Sequence, residues 1–266
     1  MNSLPVRLYS ESKMVTGNTQ FIELQVHDKL KDRWNDLKDD IKVAESFKGF
    51  LTIHGEGEND GRKRILFSAE SGIRRQYVKS CAQIYSAVLH HLNENEVKRV
   101  IVHPDTIDRK RNRLEQIAAL SESLVNLYDD LLHDNVEICI EPRGCDRHKK
   151  VLRAEIADLE ILDEFLHKFG CEKIGLCIDI AQLFICKGNE GTIFFLSKLN
   201  KNIREFHISD AVNGRIGVEI GIGLIDWSNI IPLMINFCEH FLIETIGGLK
   251  VFDRSLRYLD KIGFNA

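Results

Sequence analysis

Short apolar runs alternate with longer amphipathic segments along most of the chain. In the clearest run, residues 174–188 (IGLCIDIAQLFICKG), the first part is apolar almost throughout and ends at the carboxylate of Asp179. A run of this kind is typical of a strand that is buried on both faces. Similar runs recur along the sequence. Together they predict eight strands, at residues 5–9, 21–26, 50–53, 97–102, 136–140, 174–178, 203–206 and 241–243.

The segments between most of these strands predict helices, because apolar residues recur in them at every third or fourth position. The predicted helical regions are 28–46, 71–92, a segment ending near 133, 153–169, a segment ending at 199, 226–238 and 251–262. Parallel strands need crossover connections, and right-handed crossovers close such a sheet into a barrel. With only four prolines and no linker-like tract, the chain predicts one α/β domain, a (β/α)8 TIM barrel over residues 1–266.

Charged or imidazole side chains stand at the ends of the last six predicted strands. Parallel strands all point the same way, so these side chains converge on the C-terminal mouth of a barrel, where such barrels keep their chemistry. Imidazoles and carboxylates together suit zinc, manganese, iron or cobalt, and without a cation the carboxylates would be unmatched. We therefore expect one or two divalent metal ions, held by His54, His103, Glu141, Asp179, His207 and Glu244.

Each of these residues, taken alone, has a simpler explanation. Asp179 could cap the helix that follows it, and Glu141 could pair with Arg143. A histidine at a strand end, such as His54 or His103, is more often a hydrogen-bonded loop residue than a ligand. Coincidences on successive strands are nevertheless far rarer than one shared site, which favours the metal centre.

Composition narrows the class of protein. The net charge of −4 argues against a general nucleic-acid coat, although not against a local basic patch. There are seven cysteines without a paired pattern, and no apolar stretch resembles a leader or a membrane span. We therefore expect a reduced, intracellular compartment, the cytoplasm, and no membrane partner.

The residues around the strand ends resemble those of a known superfamily. The stretch IGLCIDIAQLFICKG occurs together with IHGEGE at His54, IVHPD at His103, ICIEPRG at Glu141, EFHISDA at His207 and LIETIGG at Glu244. In this order, over nearly the whole chain, they look like the xylose-isomerase-like TIM barrels. That superfamily includes metal-dependent sugar and sugar-phosphate isomerases and epimerases, and also the endonuclease IV enzymes. The resemblance implies that Glu141, Asp179, His207 and Glu244 hold one metal, and that Glu141 and Glu244 form an acid/base pair.

The sequence departs from the endonuclease IV pattern at one metal. Those enzymes hold a third zinc with a histidine after strand six and an Asp-x-His motif before a Gly-x-Gly loop. Here Gln182, Arg215 and Gly217 stand at those positions, while the Gly-x-Gly loop itself is kept. The loss of these ligands together suggests a site with one or two metals, in which Glu219 could be a replacement ligand.

Two reactions stay open, and an isomerase or epimerase ranks first because it needs only the set of four residues. In this interpretation the metal polarises a carbonyl and the neighbouring hydroxyl of a sugar or sugar phosphate, and proton transfer passes through a metal-stabilised ene-diolate. Glu141 and Glu244 would move the proton. His54 and His103 would bind substrate hydroxyls.

The alternative is an endonuclease IV-like phosphodiesterase. There His54, His103 and Glu141 would hold a second metal, and the ions would activate water for attack on DNA at an abasic site. Basic residues within 62–64, 109–113 and 147–150 follow strands three to five and favour a phosphorylated substrate without choosing between these reactions. A barrel that binds a ligand without turnover is a third class.

A further set of polar residues near the mouth is expected to bind substrate. Two of its members, Gln182 and Asp210, could instead orient His207 or the metal-bound water. The set is Arg143, Gln182, Asp210, Arg215 and Glu219.

Overall fold

The backbone forms a closed ring of eight parallel strands. The computed structural model describes residues 6–8, 21–26, 41–42, 50–55, 71–92, 96–103, 112–131, 136–142, 161–162, 164, 167–168, 173–199, 202–238 and 240–264. In these residues the strands are β1 (Val6–Leu8), β2 (Phe21–Val26), β3 (Phe50–Gly55), β4 (Glu96–Val102), β5 (Glu137–Ile140), β6 (Ile174–Asp179), β7 (Ile203–Ile208), β8 (Asp210–Val212), β9 (Arg215–Val218) and β10 (Phe241–Ile243). The ring follows chain order from β1 to β7, and β10 closes it between β7 and β1. The predicted α/β barrel is confirmed.

Helices occupy the connections, as the amphipathic segments predict. The described helices are α1 (Ser71–His91), α2 (Arg113–Asp130), α3 (Ile180–Lys198), α4 (Trp227–Met234) and α5 (Leu249–Lys261). The predicted helix 226–238 ends earlier, at Met234, and turns follow it. Most of the predicted helices 28–46 and 153–169 lies outside the described residues. No helix in the described part of the chain is both long and apolar enough to cross a membrane.

The main apolar core lies where the helices pack on the strands. On α2 the buried side chains Ile117, Leu120, Leu124 and Leu127 recur at helical spacing, so one face of the helix is covered. Within the ring, Phe206 of β7 stacks on Phe241 of β10 with ring centroids 5.8 Å apart. These contacts hold the last barrel strand against β7, although β10 is only three residues long.

A small second cluster stands apart from the main core. It consists of Ile101, Cys139 and Cys177, each fully buried, on three neighbouring strands. Side chains alternate between the two faces of a strand, so Cys139 and Cys177 share a face with Glu141 and Asp179, two residues further on. These three apolar side chains therefore lie two residues before His103, Glu141 and Asp179 at the strand ends.

An antiparallel ribbon, β8 and β9, follows the seventh barrel strand. Its turn is Asn213-Gly214, with φ angles of 50° and 74°, and Val212 pairs with Arg215 across it. Two central residues with positive φ are the requirement of the type I′ hairpin, for which Asn-Gly is the strongest short signal. The hydrophobic pattern did not predict this ribbon, because its strands are short and not alternating.

The stability of the fold should depend on the protonation of His240, which precedes β10. Burial and the nearby charge of Arg99 lower the pKa of His240 to about 4, against an ordinary value near 6.5. Between these values the unfolded chain binds the proton that the folded chain rejects, so stability falls as the pH falls through this window. Because the side chain is partly exposed, we expect a loss of about 1–2 kcal/mol.

Urea unfolding of wild type and His240→Gln at several pH values between 4 and 7 tests this prediction. The variant should show a flatter dependence of the unfolding free energy on pH, with its advantage appearing only at the acidic end. His90→Gln, a change at an exposed histidine on α1, is the matched control and should keep the wild-type slope. Parallel curves for wild type and His240→Gln would contradict the assignment.

Candidate metal centre

The six strand-end residues predicted as ligands meet at the C-terminal mouth of the barrel. Each follows from the position of its strand, since neighbouring parallel strands end side by side. All are buried except Glu244, whose side chain keeps 25% of its surface exposed. They are His54 in β3, His103 after β4, Glu141 after β5, Asp179 at the end of β6, His207 in β7 and Glu244 after β10.

Glu141 lies at the centre of the group. One of its carboxylate oxygens, Oε2, lies 2.9 Å from Nε2 of His54, 3.5 Å from Nε2 of His103 and 3.4 Å from Nδ1 of His207. The other ring nitrogen of His103, Nδ1, lies 3.2 Å from the backbone oxygen of Glu141. A carbonyl oxygen can only accept, so Nδ1 of His103 carries the hydrogen and Nε2 carries the lone pair that can bind a metal.

A second cluster shares Glu141 with the first. Oxygens of Glu141, Asp179 and Glu244 lie within 4.8 Å of one another. Nδ1 of His207 lies 3.2 Å from Oε2 of Glu244, so the same four residues that the sequence assigned to one metal are brought together. Ligand atoms around a tetrahedral zinc are separated by about 3.3 Å, given bonds of about 2.0–2.1 Å. The nitrogen–oxygen separations of 3.2 to 3.5 Å around His103 and His207 fit that spacing.

The charges of the cluster also fit a cation. Burial, together with the neighbouring carboxylates Glu244 and Glu141, raises the pKa of Asp179 to about 7. Burial also acts to raise the pKa of Glu141, but His103 and His207 outweigh it and hold that pKa well below its usual value. Repulsion among carboxylates is the usual sign of a site that takes a divalent ion, so the donor set and its charge fit a metal.

Asp179 has two roles at once. Its Oδ1 accepts a hydrogen bond of 3.0 Å from the backbone N–H of Gln182, which caps α3. The simple capping explanation and the ligand explanation are therefore compatible, since a carboxylate has two oxygens. Gln182 itself lies in the first turn of α3, half-buried.

The comparisons with known proteins identify the family of the fold. Residues 18–262 match the model of the xylose isomerase-like TIM barrel family. The chain belongs to this family. A comparison with curated proteins gives no significant match.

Solved structures of this fold come from more than one functional class. A D-tagatose 3-epimerase-like protein superposes with a TM-score of 0.71 at 14% identity, covering 97% of this chain and 96% of that one. An AP endonuclease of family 2 from Brucella melitensis superposes with a TM-score of 0.68 at 11% identity, covering 98% of this chain and 99% of that one. The IOLI protein with a binding zinc atom superposes with a TM-score of 0.61 at 19% identity, covering 92% of this chain and 87% of that one. At these identities the likeness shows the fold alone.

Three buried residues around His207 in this xylose isomerase-like barrel were missed by the sequence argument. Nε2 of His207 lies 3.2 Å from Oε2 of Glu23 and 3.4 Å from Oε1 of Glu205, and both carboxylates are fully buried. The thiol of Cys177 belongs to a group with Glu141 and His207. The missed signal was a charged residue inside a predicted strand: Glu205 lies two positions before His207, on the same face.

The pKa of His207 depends on burial and on these neighbouring groups. Burial acts to lower it, but Cys177, Glu141 and Glu23 outweigh burial and raise the pKa well above its ordinary value. Burial also raises the pKa of the Cys177 thiol, so at neutral pH that group is uncharged. The carboxylates are therefore the anions that hold His207 in the barrel.

The residues predicted to bind substrate lie either outside the described part of the chain or apart from the ligand clusters. Arg143 and the basic segments 62–64 and 147–150 lie outside the described residues, as does 109–111. Arg215 is exposed beside the turn of the ribbon. Glu219 is paired with Arg254 at 2.8 Å through both carboxylate oxygens, and it joins none of the ligand clusters found among the described residues. Its assignment as a replacement ligand gains no support from this placement.

Gly217, where the endonuclease IV pattern has a histidine, lies close to Ile246. The residue has a positive φ of 75°, and a Cβ there would lie 2.8 Å from Cδ1 of Ile246. The backbone N–H of Ile246 also donates to the oxygen of Gly217 over 2.7 Å. A side chain at Gly217 would therefore have to displace the exposed side chain of Ile246.

Asp210 anchors the loop that follows the ribbon. Its Oδ1 accepts from the N–H groups of Ala211 and Ile225, and its Oδ2 accepts from the N–H of Gly221 and the indole N–H of Trp227, over 2.8 to 3.2 Å. A Cβ on Gly223 would lie 2.0 Å from Oδ1 of Asp210, so only glycine leaves room for this arrangement. We infer that Asp210 shapes the loop, and its predicted contact with substrate stays a prediction.

The substitution Asp210→Ala should destabilise the protein strongly. It leaves four buried or half-buried donors without their acceptor, and we expect the free energy of unfolding to fall by about 3–5 kcal/mol. Asp226→Ala is the matched control, since Asp226 makes no capping bond and accepts only from the exposed side chain of Asn229. Urea unfolding followed by tryptophan fluorescence measures both, and equal losses in the two variants would contradict the anchoring role.

Proposed function

We propose that this protein is a divalent-metal-dependent isomerase or epimerase that acts on a sugar or sugar phosphate. The observation that carries the proposal is the convergence of Glu141, Asp179, Glu244 and His207 on one buried cluster. The D-tagatose 3-epimerase-like neighbour and the zinc-containing IOLI structure, which share this fold, support a sugar substrate and a metal. These four residues would hold the ion, which when bound would act as a Lewis acid toward a carbonyl and its neighbouring hydroxyl.

Proton transfer is assigned to Glu141 and Glu244. Oxygens of the two carboxylates lie within 4.8 Å of each other, so both residues can reach one substrate carbon held beside them. Glu141 is 2% exposed and its pKa is held well below its usual value, so it is ionised, which is the form that a general base needs. Glu244 is the more exposed of the two carboxylates.

His54 and His103 complete the proposed substrate site. Their rings stand edge to face, with centroids 4.7 Å apart, and both are buried beside Glu141. Nε2 of each ring points at the carboxylate that would move the proton. Substrate hydroxyls would take the place of Glu141 as partners of the two rings. Binding these hydroxyls would hold the reacting carbon in a fixed orientation.

Deuterium exchange tests the proposed reaction. A panel of ketoses and ketose phosphates incubated in D₂O with the zinc-, manganese- or cobalt-loaded protein should gain deuterium at the carbon beside the carbonyl. Glu141→Gln and Glu244→Gln should each reduce the exchange rate by about 10²–10⁴-fold, because each removes one proton carrier. Glu190→Gln, a change at an exposed carboxylate on α3, is the matched control and should leave the rate unchanged. Absence of exchange with every ketose would remove the proposal.

A second candidate, a two-metal phosphoesterase acting on DNA at abasic sites, is favoured by one observation. His54, His103 and Glu141 form a cluster of ligand atoms of their own, and the backbone contact at Nδ1 of His103 leaves Nε2 as the nitrogen with the lone pair that a metal would bind. The AP endonuclease neighbour shares the fold. A second ion held there would share Glu141 with the first.

Metal counting separates the two candidates. For an isomerase we expect about one equivalent of zinc in wild type, and the same amount in the double variant His54→Asn/His103→Asn, because its four ligands are untouched. Plasma emission spectrometry measures the zinc content of protein purified without added metal. A nicking assay on an abasic-site oligonucleotide measures the phosphoesterase activity. About two equivalents in wild type, one in the double variant and nicking by wild type would favour the phosphoesterase instead.

A further inference from the structure

Two buried imidazoles are each held between the same pair of carboxylates. Above them, Oε2 of Glu141 lies 2.9 Å from Nε2 of His54 and 3.4 Å from Nδ1 of His207. Below them, Oε1 of Glu23 lies 3.9 Å from Nδ1 of His54, and Oε2 of Glu23 lies 3.2 Å from Nε2 of His207. Each ring thus turns one nitrogen to the mouth and the opposite nitrogen to Glu23.

We propose that Glu23 is a positioning residue of the metal centre, which fixes the orientation of the His207 imidazole so that its Nδ1 faces Glu141, and which acts on His54 only as a more distant charge at 3.9 Å. The inference rests on the proposed metal site and goes beyond it, since Glu23 is not one of the mouth residues. A histidine ligand usually donates its other N–H to a carboxylate or carbonyl, which sets the tautomer and the ring orientation and raises the basicity of the ligand.

Glu23 suits this role better than its neighbour Glu205. Both carboxylates are fully buried, and both face Nε2 of His207. Glu205, however, also lies 3.5 Å from the guanidinium of Arg99, which offsets its charge. Glu23 reaches both histidines, whereas the contacts of Glu205 are with His207 and Arg99.

The alternative, that Glu23 is itself a ligand, is also testable. Glu23, Glu205 and His207 form a group of ligand atoms within 4.8 Å of one another. The adjacent Arg99 argues against an ion there, because a guanidinium 3.5 Å from one carboxylate already supplies a positive charge. We therefore assign these residues to the support of His207, with Arg99 balancing Glu205.

The first measurement is the tautomer of each ring in the wild-type protein. Long-range ¹H–¹⁵N correlation spectra of the zinc-loaded protein, assigned with His54→Asn and His207→Asn, should show His207 bonded to zinc through Nδ1 with the hydrogen on Nε2. A spectrum with zinc on Nε2 of His207 would overturn the proposal. This readout needs no change at Glu23, so it holds even if variants at that position fold poorly.

The second measurement is zinc affinity, by competition with a chromophoric chelator. Glu23→Gln should weaken zinc binding by about 10- to 100-fold while the bound stoichiometry at saturating zinc stays as in wild type. Glu205→Gln is the matched control, a buried carboxylate beside the same ring, and it should weaken binding less than Glu23→Gln. Thermal unfolding of the zinc-free proteins shows that each variant is folded.

The outcomes are distinct. Affinity of Glu23→Gln within threefold of wild type, or an effect no larger than that of Glu205→Gln, would overturn the positioning role. Loss of a whole equivalent of zinc would overturn it too, because Glu23 would then be a ligand. If wild type binds zinc with the expected tautomer but exchanges no ketose proton, the proposed isomerase activity is wrong. The positioning role of Glu23 would still hold.

Discussion

Matching of buried charge inside a closed ring is the constraint on which this structure depends. The barrel encloses the carboxylates of Glu23, Glu205, Glu141 and Asp179, and an isolated ionised carboxylate removed from water costs several kcal/mol or more. The imidazoles and Arg99 offset part of this cost at short range. The part of this cost that is not offset lies at the mouth of the barrel, where burial and the neighbouring carboxylates raise the pKa of Asp179 to about 7. A divalent cation at that point would complete the balance.

The charges are arranged in two layers. The lower layer, Glu23 and Glu205 with Arg99, contains its own cation and contacts the histidines from beneath. The upper layer, Glu141, Asp179 and Glu244, has no arginine or lysine among its described ion pairs and shares the histidines with the lower one. This asymmetry places the chemistry at the mouth and the support below it.

The fold alone does not decide the reaction. Structures of an epimerase-like protein and of an AP endonuclease superpose on nearly the whole chain at 14% and 11% identity, so one barrel supports both chemistries. Here Ile246 packs on Gly217, and Asp210 fixes the loop behind the ribbon, which leaves a site built from the strand ends. The proposed sugar chemistry needs only those residues.

The sequence by itself determined the strands, most of the helices and the six mouth residues, because apolar periodicity and a polar residue at a strand end are local signals. It also carried the Asn213-Gly214 turn, a signal that the hydrophobic pattern obscured. Only the tertiary structure decided that Glu23 of β2 meets His207 of β7, and that Asp210 serves a loop rather than the metal cluster. Strands two and seven are not neighbours in the ring, so this contact depends on how the closed barrel brings opposite walls together, which no local pattern encodes.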